Sequence, residues 1–426
     1  MASSISPSSS DDEWYAYRFD FQDRQFLFVR NLGAGIESVA QLVIDVDTGE
    51  RLVRKVAAKR CSKTTQTTKA NNLSALGLTS LGLKPNEFQV LDAIQRNFTA
   101  PKPGLLCNIV ECYGHEYLPS NHTTPDGQTK TYSVSYWKLY NGESINSRWL
   151  DRDETITAPP ITIIARMLRQ VLCTLHYLHT AGPRPMLHHD THFGNVWIHW
   201  PEAEYALPQF YLGDFGVARY LAEPHQTRIE RPLHFYADSR EPLRDLSIIR
   251  GNLYGLSRVL FLRSYHSDGL AHAVEVRQFI NHIINATSEV ISRWVDANFK
   301  KDTPPPGMEG LIELVASYEN EYGKGGPKDE TKGKGYKKFM KAERAKAMEV
   351  TKERAFRVKS SALIGLQPGE TVIENKTGPE LRPLRRQDLT LPIHGPWQLV
   401  TLDGRPVEGP GAIWHHRPAM SELHDG

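Results

Sequence analysis

Three polar side chains in the middle of the chain have the types and the spacing that phosphoryl transfer requires. Residues 188–195 read HHDTHFGN and residues 213–216 read GDFG, so Asp190 precedes Asn195 by five residues and Asp214 by 24. A carboxylate can accept the proton of an attacking hydroxyl, while an amide and a second carboxylate can hold a magnesium ion between phosphate groups. The pattern therefore predicts Asp190 as a general base and Asn195 and Asp214 as magnesium ligands.

The flanking segments predict the elements that would position these residues. Apolar residues recur at helical spacing from residue 163 to 179, and Pro183 and Pro185 then end the helix and begin a loop. Residues 196–200 and 210–212 read as two short strands that are joined by a polar turn. A helix, a catalytic loop, a hairpin and a metal-binding turn form one coherent unit.

Residues 26–32, 40–46 and 51–57 read as three short strands near the N-terminus. The turn between the first two contains Gly33, Gly35 and Ser38, where the absence of a Cβ at the glycines lets backbone amides approach a phosphate. The turn between the second and third strands reads DTGE, which is a hairpin signal.

A lysine and a glutamate upstream could position a nucleotide phosphate. Lys55 stands in the third strand, where its charge is costly unless it is matched or reaches solvent at a sheet edge. Lys59 has the same strand parity and is a rival, although Lys55 is closer to the hairpin. Glu87 begins an amphipathic helix after Pro85, where it could pair with the lysine or complement the helix dipole.

Together these motifs resemble those of the eukaryotic protein kinase superfamily, in the divergent form abundant in filamentous fungi, over about residues 26–322. The resemblance implies an α+β, two-lobed protein kinase-like fold, with a small antiparallel β N-lobe that carries one regulatory helix and a larger, mainly α C-lobe. It implies ATP and Mg2+ as cofactors and a Lys55–Glu87 pair. The residues that it assigns to ATP binding are Gly33, Gly35, Ser38, Lys55 and Trp137. Trp137 is near the position that limits the depth of the adenine pocket in this family.

Several positions depart from the pattern of this family. His189 replaces an arginine that receives a phosphate on the activation segment, so we expect activity that does not need that phosphorylation. His192 stands where Ser/Thr kinases have a lysine; a protonated imidazole could act in its place, or this histidine has no catalytic role. No Ala-Pro-Glu follows Asp214, and Asn252 takes the place of an aspartate that binds the catalytic-loop backbone.

Three functions therefore remain open. The first is an ATP- and Mg2+-dependent protein kinase that acts on Ser/Thr of an unknown protein substrate, with Asp190, Lys55, Glu87 and His192 in catalysis. The second is a pseudokinase, a binding or scaffold module with little turnover, which the departures favour. The third is a small-molecule phosphotransferase. It is favoured by the HxDxH pattern at residues 188–192 and by the segment at 217–245, which lacks the Ala-Pro-Glu of protein kinases.

The composition indicates the class of protein and the cellular compartment. At 426 residues, with 40% apolar and 23% charged residues, the chain has an ordinary globular composition. Its four cysteines are scattered without a C-x-x-C, which predicts a reducing compartment, cytoplasmic or alternatively nuclear, and argues against a structural zinc site or a disulfide framework. No apolar stretch approaches the roughly 20 residues of a membrane helix, so we expect no membrane partner.

We divide the sequence into five segments: a disordered tail (1–25), the N-lobe (26–135, with an insertion at 60–85), the C-lobe (136–322), a basic linker with a charged helix (323–360) and a C-terminal extension (361–426) without an assigned role. Residues 324–359 contain 13 Lys/Arg and 5 Asp/Glu. This segment is the only candidate for nucleic-acid binding. We favour a solvated helix there, because aromatic stacking platforms are not interleaved with the basic residues.

Overall fold

The structure is a computed structural model of the chain. It describes residues 14–34, 38–58, 86–100, 107–123, 129–150, 159–183, 186–220, 241–264, 270–299, 308–354, 358–359, 372–374, 381–383, 397–401 and 413–414. The first of two compact units comprises Met1–Thr64, Glu111–Leu139 and Lys352–Gly426, and the second comprises Thr65–Val110 and Tyr140–Thr351.

The described elements confirm a mixed fold, with a β-sheet in the N-terminal region and a mainly helical part after it. The strands are β1 (Trp14–Phe21), β2 (Arg24–Ala34), β3 (Ser38–Asp45), β4 (Arg51–Ala58), β5 (Cys112–Thr123), β6 (Thr129–Lys138), β7 (Met186–Leu187), β8 (Val196–His199), β9 (Gln209–Leu212), β10 (Arg219–Tyr220), β11 (Val358–Lys359), β12 (Val372–Glu374), β13 (Leu381–Pro383), β14 (Trp397–Thr401) and β15 (Ile413–Trp414). The α-helices are α1 (Asn86–Asn97), α2 (Ile161–Thr180), α3 (Glu241–Ser264), α4 (Leu270–Phe299), α5 (Glu309–Tyr322) and α6 (Lys334–Lys352).

The sheet of the first unit has the strand order β15-β14-β1-β2-β3-β4-β6-β5, and β11 also pairs with β1. The three strands that we predicted near the N-terminus are confirmed as β2, β3 and β4. The described sheet has nine strands and includes three short strands from the end of the chain, so the prediction of a small N-lobe sheet is wrong in size. The predicted insertion at 60–85 lies outside the described residues.

Strand β1 corrects our prediction of a tail that reaches residue 25. In its sequence, WYAYRFDF, aromatic residues alternate with small or charged ones from residue 15 onward, which is the pattern of a strand with one apolar face. Phe21 is buried and its ring stacks on Tyr136 with centroids 4.0 Å apart. β1 also pairs with β14, where Tyr15 is opposite Thr401 and Arg18 is opposite Gln398.

Helix α2 lies in the core of the second unit. The predicted helix at 163–179 is confirmed, with bounds at Ile161 and Thr180, and 15 of its 20 residues are buried. Its first turn is capped from far along the chain, because the Glu330 carboxylate accepts hydrogen bonds from the backbone N–H of Ile161 (3.3 Å) and Thr162 (2.6 Å). The part of the linker around Glu330 is therefore built into the second unit.

Helix α6 is fixed to the second unit by its inward side. Glu343 binds Arg148 through two hydrogen bonds of 2.5 and 2.7 Å, and the two side chains are only 5% and 4% exposed. Phe339 and Ala347, each four residues from Glu343, are buried on the same side. We predicted this helix at 336–358; it ends earlier, at Lys352, and Val358 belongs to β11 instead.

Among the described residues, no helix combines the length and the apolar character that crossing a bilayer requires.

The pair of Arg148 and Glu343 should be important for stability. We expect Arg148→Ala to lower the free energy of unfolding by about 3–5 kcal/mol, because it leaves the Glu343 carboxylate buried without its partner. Urea unfolding followed by circular dichroism measures this change. Arg293→Ala is the matched control, since Arg293 pairs with Glu289 on an exposed helix surface and should contribute less than about 1 kcal/mol. Equal losses in the two variants would contradict the assignment.

Candidate active site

The segment that follows α2 and β7 is a loop with a buried histidine at its base. The His188 ring is inaccessible to solvent and its Nε2 lies 3.0 Å from the Gly213 carbonyl oxygen, to which it donates. Its Nδ1 accepts from the backbone N–H of Asp190 at 3.3 Å. Burial lowers the pKa of His188, which keeps the ring neutral. The loop and the residue before Asp214 are thus joined through one imidazole.

Asp245, in α3, holds the same loop by its backbone. Its carboxylate accepts from the N–H of His188 (3.0 Å) and from the N–H of His189 (2.7 Å). The Thr191 hydroxyl donates to the Asp245 carbonyl oxygen at 2.9 Å, and His179 Nε2 lies 3.5 Å from the carboxylate. Burial alone would raise the pKa of Asp245, but these bonds and the two nearby imidazoles lower it, so the group is a buried anion.

This geometry corrects our assignment of Asn252 to that role. The Asn252 side chain donates to the carbonyl oxygen of Ile248, one turn earlier in its own helix. Asp245 is seven residues earlier in the sequence and is the residue that we missed. A spacing argument from the resemblance selected the wrong polar residue of the helix, and only the contact with the loop identifies the right one.

His189 has a left-handed backbone, with φ of 65°, and Arg219 Nε donates to its Nε2 at 2.9 Å. A positive φ is uncommon for a residue other than glycine and costs free energy that the surroundings must offset. Burial, and next the positive charge of Arg219, lower the pKa of His189 to about 4. At neutral pH this histidine is therefore an uncharged hydrogen-bond acceptor.

Asp190 and Asn195 lie side by side. Asn195 Nδ2 donates to the Asp190 carbonyl oxygen (2.9 Å) and to its carboxylate Oδ2 (3.1 Å). Because the amide nitrogen is turned toward Asp190, the amide oxygen of Asn195 is the atom left to accept a cation. The predicted base and one predicted metal ligand are therefore brought together by the loop.

His192 also lies near this carboxylate, with Nε2 3.4 Å from Asp190 Oδ2. The backbone N–H of Gly194 donates to His192 Nδ1 at 3.0 Å. From these bonds we assign the ring hydrogen to Nε2, where it faces Asp190. This arrangement favours a role in orienting Asp190 over the role of a cation in place of a lysine.

Asp214 begins the turn that follows β9. Its backbone is left-handed, with φ of 60°, and its Oδ1 accepts from the N–H of Gly216 at 3.3 Å. The N–H of Gly213 donates to the Asn195 carbonyl oxygen at 2.9 Å, so the two predicted magnesium ligands belong to hydrogen-bonded segments. The Asp214 side chain is exposed. An amide oxygen and a carboxylate suit the oxygen preference of Mg2+.

No group of three or more His, Cys, Asp or Glu with the arrangement of a metal site occurs in the described parts of the chain. A magnesium ion at Asn195 and Asp214 would thus depend on phosphate and water for its other ligands, as Mg2+ commonly does.

The first unit contains the other predicted nucleotide-binding residues. Lys55 is opposite Ala40 on β3 and Ser135 on β6, and Trp137 is two residues beyond Ser135. Cross-strand partners share a face, so Lys55, Ser135 and Trp137 lie on one face of the sheet. The Trp137 indole is buried and donates to the Ser135 hydroxyl at 2.8 Å. The adjacent Arg54 points to the opposite face.

Arg54 is a buried charge that the sequence did not single out. It is 1% exposed, and its Nη1 donates to Gln41 Oε1 at 2.7 Å. The Tyr136 hydroxyl donates to Glu116 Oε1 at 2.7 Å, and the charge of Arg54 acts on both of these groups. A polar cluster therefore occupies the face of the sheet opposite Lys55.

The remaining predicted residues have these places. Gly33 is in β2 opposite Ala40, and Ser38 begins β3, where it is opposite Ala57. Gly35 and the rival lysine, Lys59, lie outside the described residues. Glu87 is in the first turn of α1 in the second unit, so its pairing with Lys55 stays a prediction.

Comparisons with known proteins show little likeness. No family model matches the chain, and no curated protein matches it. Among solved structures, the crystal structure of the BubR1 kinase domain is similar with a TM-score of 0.43 and 12% sequence identity, over 79% of this chain and 88% of that chain. A likeness of this degree carries no argument about activity.

Asp245 should be more important than Asn252 for the stability of the second unit. We expect Asp245→Asn to lower the free energy of unfolding by about 2–3 kcal/mol, because an amide cannot accept from both backbone N–H groups as a carboxylate does. Asn252→Ala is the control and should change it by less than about 1 kcal/mol. Urea unfolding measures both. A larger loss in the Asn252 variant would restore our original assignment.

The low pKa of His189 predicts a pH dependence of stability. The unfolded chain, with an ordinary histidine pKa of 6.5, binds a proton that the folded chain binds only near pH 4. Stability from the neutral His189 is therefore present above about pH 6.5 and is lost as the pH falls toward about 4. His189→Asn, which tolerates the left-handed backbone, should remove this component.

Urea unfolding of both proteins between about pH 4 and pH 7.5 tests this. The stability advantage of the wild type over His189→Asn should shrink as the pH falls through the window. The other histidines are common to both proteins and cancel in the difference. A difference that is constant with pH would contradict the prediction.

Proposed function

We propose that this protein is a phosphotransferase that uses ATP and Mg2+, and more narrowly a protein kinase that transfers the γ-phosphoryl group to a Ser/Thr hydroxyl. The observation that carries the proposal is the contact of Asp190 with Asn195 in a loop that is hydrogen-bonded to the segment of Asp214. These are a carboxylate that can accept a proton and two oxygen ligands for a hard cation.

Asp190 would accept the proton of the attacking hydroxyl. Its Oδ2 lies within 3.1 Å of Asn195 Nδ2 and 3.4 Å from His192 Nε2, so one carboxylate oxygen is held by two side chains. A base of fixed orientation needs little reorganisation when the substrate binds. Asn195 and Asp214 would hold Mg2+, which neutralises charge on the phosphates when it is bound. Lys55 and Glu87 stay predictions for positioning the phosphates.

A binding module with little turnover is the second candidate. The observation that favours it is the uncharged His189, which accepts from Arg219 where the resemblance expects an arginine. This contact also supports our expectation that an active enzyme would not need a phosphate on the activation segment, because Arg219 already binds the loop. A small-molecule phosphotransferase is the third candidate, and the contact of His192 with Asp190 supports it.

An assay of phosphate transfer from labelled ATP distinguishes these three functions. We expect wild-type protein with Mg2+ to label a protein acceptor, and Asp190→Asn to reduce the rate at least 100-fold while nucleotide binding is retained, because a general base contributes about 10²–10⁴. Asp214→Asn should weaken the Mg2+-dependent part of nucleotide binding. Ser147→Ala, which removes a hydroxyl that accepts from the Ser144 hydroxyl, serves as the control.

The acceptor panel contains mixed peptides, the protein itself and small hydroxyl compounds. Nucleotide-dependent thermal stabilisation without transfer to any acceptor would favour the binding module. Transfer only to small compounds would favour the third candidate. Absence of stabilisation by ATP with Mg2+ would contradict the protein kinase and the small-molecule phosphotransferase.

A further inference from the structure

Helix α6 presents a row of lysines on the side that faces away from its contacts with the second unit. The exposed members of this row are Lys334, Lys337, Lys338, Lys341 and Lys352. Within the described residues, none of the five is in an ion pair. The exposed side contains one carboxylate, that of Glu349. We call these five residues the lysine row.

The lysine row is held in a fixed orientation, because α6 is anchored from its other side. Glu343, the other carboxylate of the helix, is turned inward and is bound to Arg148. Arg344 donates to the carbonyl oxygens of Pro201, Ala203 and Ala206, and its guanidinium lies over the Trp200 ring. Because Glu343 is paired with Arg148 on the inward side of α6, it does not neutralise the lysines. The outward side of the helix therefore has a net positive charge.

We propose that the lysine row binds the phosphodiester backbone of a double-stranded nucleic acid without reading its sequence. The helix is about 27 Å long at 1.5 Å per residue, which is about the length of eight phosphates along one strand of a duplex. Lysine provides compact point charges and not the planar fork that reads bases or single phosphate groups in a fixed geometry.

Other anionic partners fit this face less well. Between the charges, the exposed side offers only Gly335, Ala342 and Ala345. A single strand is usually held by aromatic stacking, a membrane by inserted apolar side chains, and a peptide by large buried anchors. The apolar side chains of α6, including Phe339, are already buried in the second unit. A regular array of phosphates needs only spaced charges.

Fluorescence anisotropy of a labelled 30-base-pair DNA of arbitrary sequence tests the proposal with the full chain. If all five lysines contact phosphates, the slope of log affinity against log salt should be about −4.5, so affinity should fall about 500-fold between 50 and 200 mM salt. Lys334→Gln/Lys338→Gln/Lys341→Gln should bring the slope to about −1.8 and weaken binding at 50 mM salt at least tenfold.

The control variant Arg96→Gln/Arg258→Gln/Arg293→Gln removes the same charge from other exposed helix surfaces and should change affinity less than twofold. Melting temperatures show whether the variants fold, and the lysine variant should match the wild type, since its lysines are exposed. Absence of duplex binding at 50 mM salt, or equal loss in the control, would overturn the proposal. Tighter binding to a single strand, to a polyglutamate peptide or to phosphatidylserine vesicles would overturn it as well.

Discussion

The candidate site depends on the hydrogen bonds that the buried Asp245 carboxylate accepts from the backbone of the loop. An anion inside a protein is unfavourable unless hydrogen bonds replace its hydration, and here two consecutive backbone N–H groups of the loop do so. The same bonds hold His189 in a left-handed conformation that a free loop would rarely adopt. These hydrogen bonds therefore offset both the desolvation of the Asp245 carboxylate and the backbone strain of the loop.

Two histidines connect this anchor to the residues that could do chemistry. His188 bridges the loop and the Gly213 carbonyl oxygen, while His192 accepts from the backbone and faces Asp190. The His188 ring uses one nitrogen as a donor and the other as an acceptor, which only an uncharged imidazole can do. The geometry of the site thus depends on the protonation state of His188 as well as on the position of its backbone.

Local patterns in the sequence predicted much of the fold. Local apolar patterns located α2 and the hairpin of β8 and β9, because these elements bury most of their apolar side chains in a core. The aromatic alternation of β1 was also present in the sequence, but the resemblance to kinases begins later, so we assigned β1 to a tail. The pairing of β1 with β14 joins segments that are far apart in the sequence, so local patterns could predict the strand but not this partner.

The residues of the candidate site were likewise predicted only where a local pattern marks them. Asp190, Asn195 and Asp214 were predicted from their spacing, and their segments are joined in the structure. Asp245 was missed because it is more than 50 residues from the loop that it binds, and several polar residues of α3 could have served by type alone. The buried Arg54 was missed for a similar reason, since strand alternation shows which face a side chain occupies but not whether that face is covered.

The pairing of β1 with β14 has a consequence for biosynthesis. Trp14–Phe21 is translated more than 370 residues before its partner Trp397–Thr401. Until the partner has been translated, one edge of β1 exposes unpaired backbone groups, which are a template for association with other chains. The first unit can therefore complete its sheet only after the segment of β14 has been translated, and the nascent chain would benefit from a chaperone that covers this edge in the meantime.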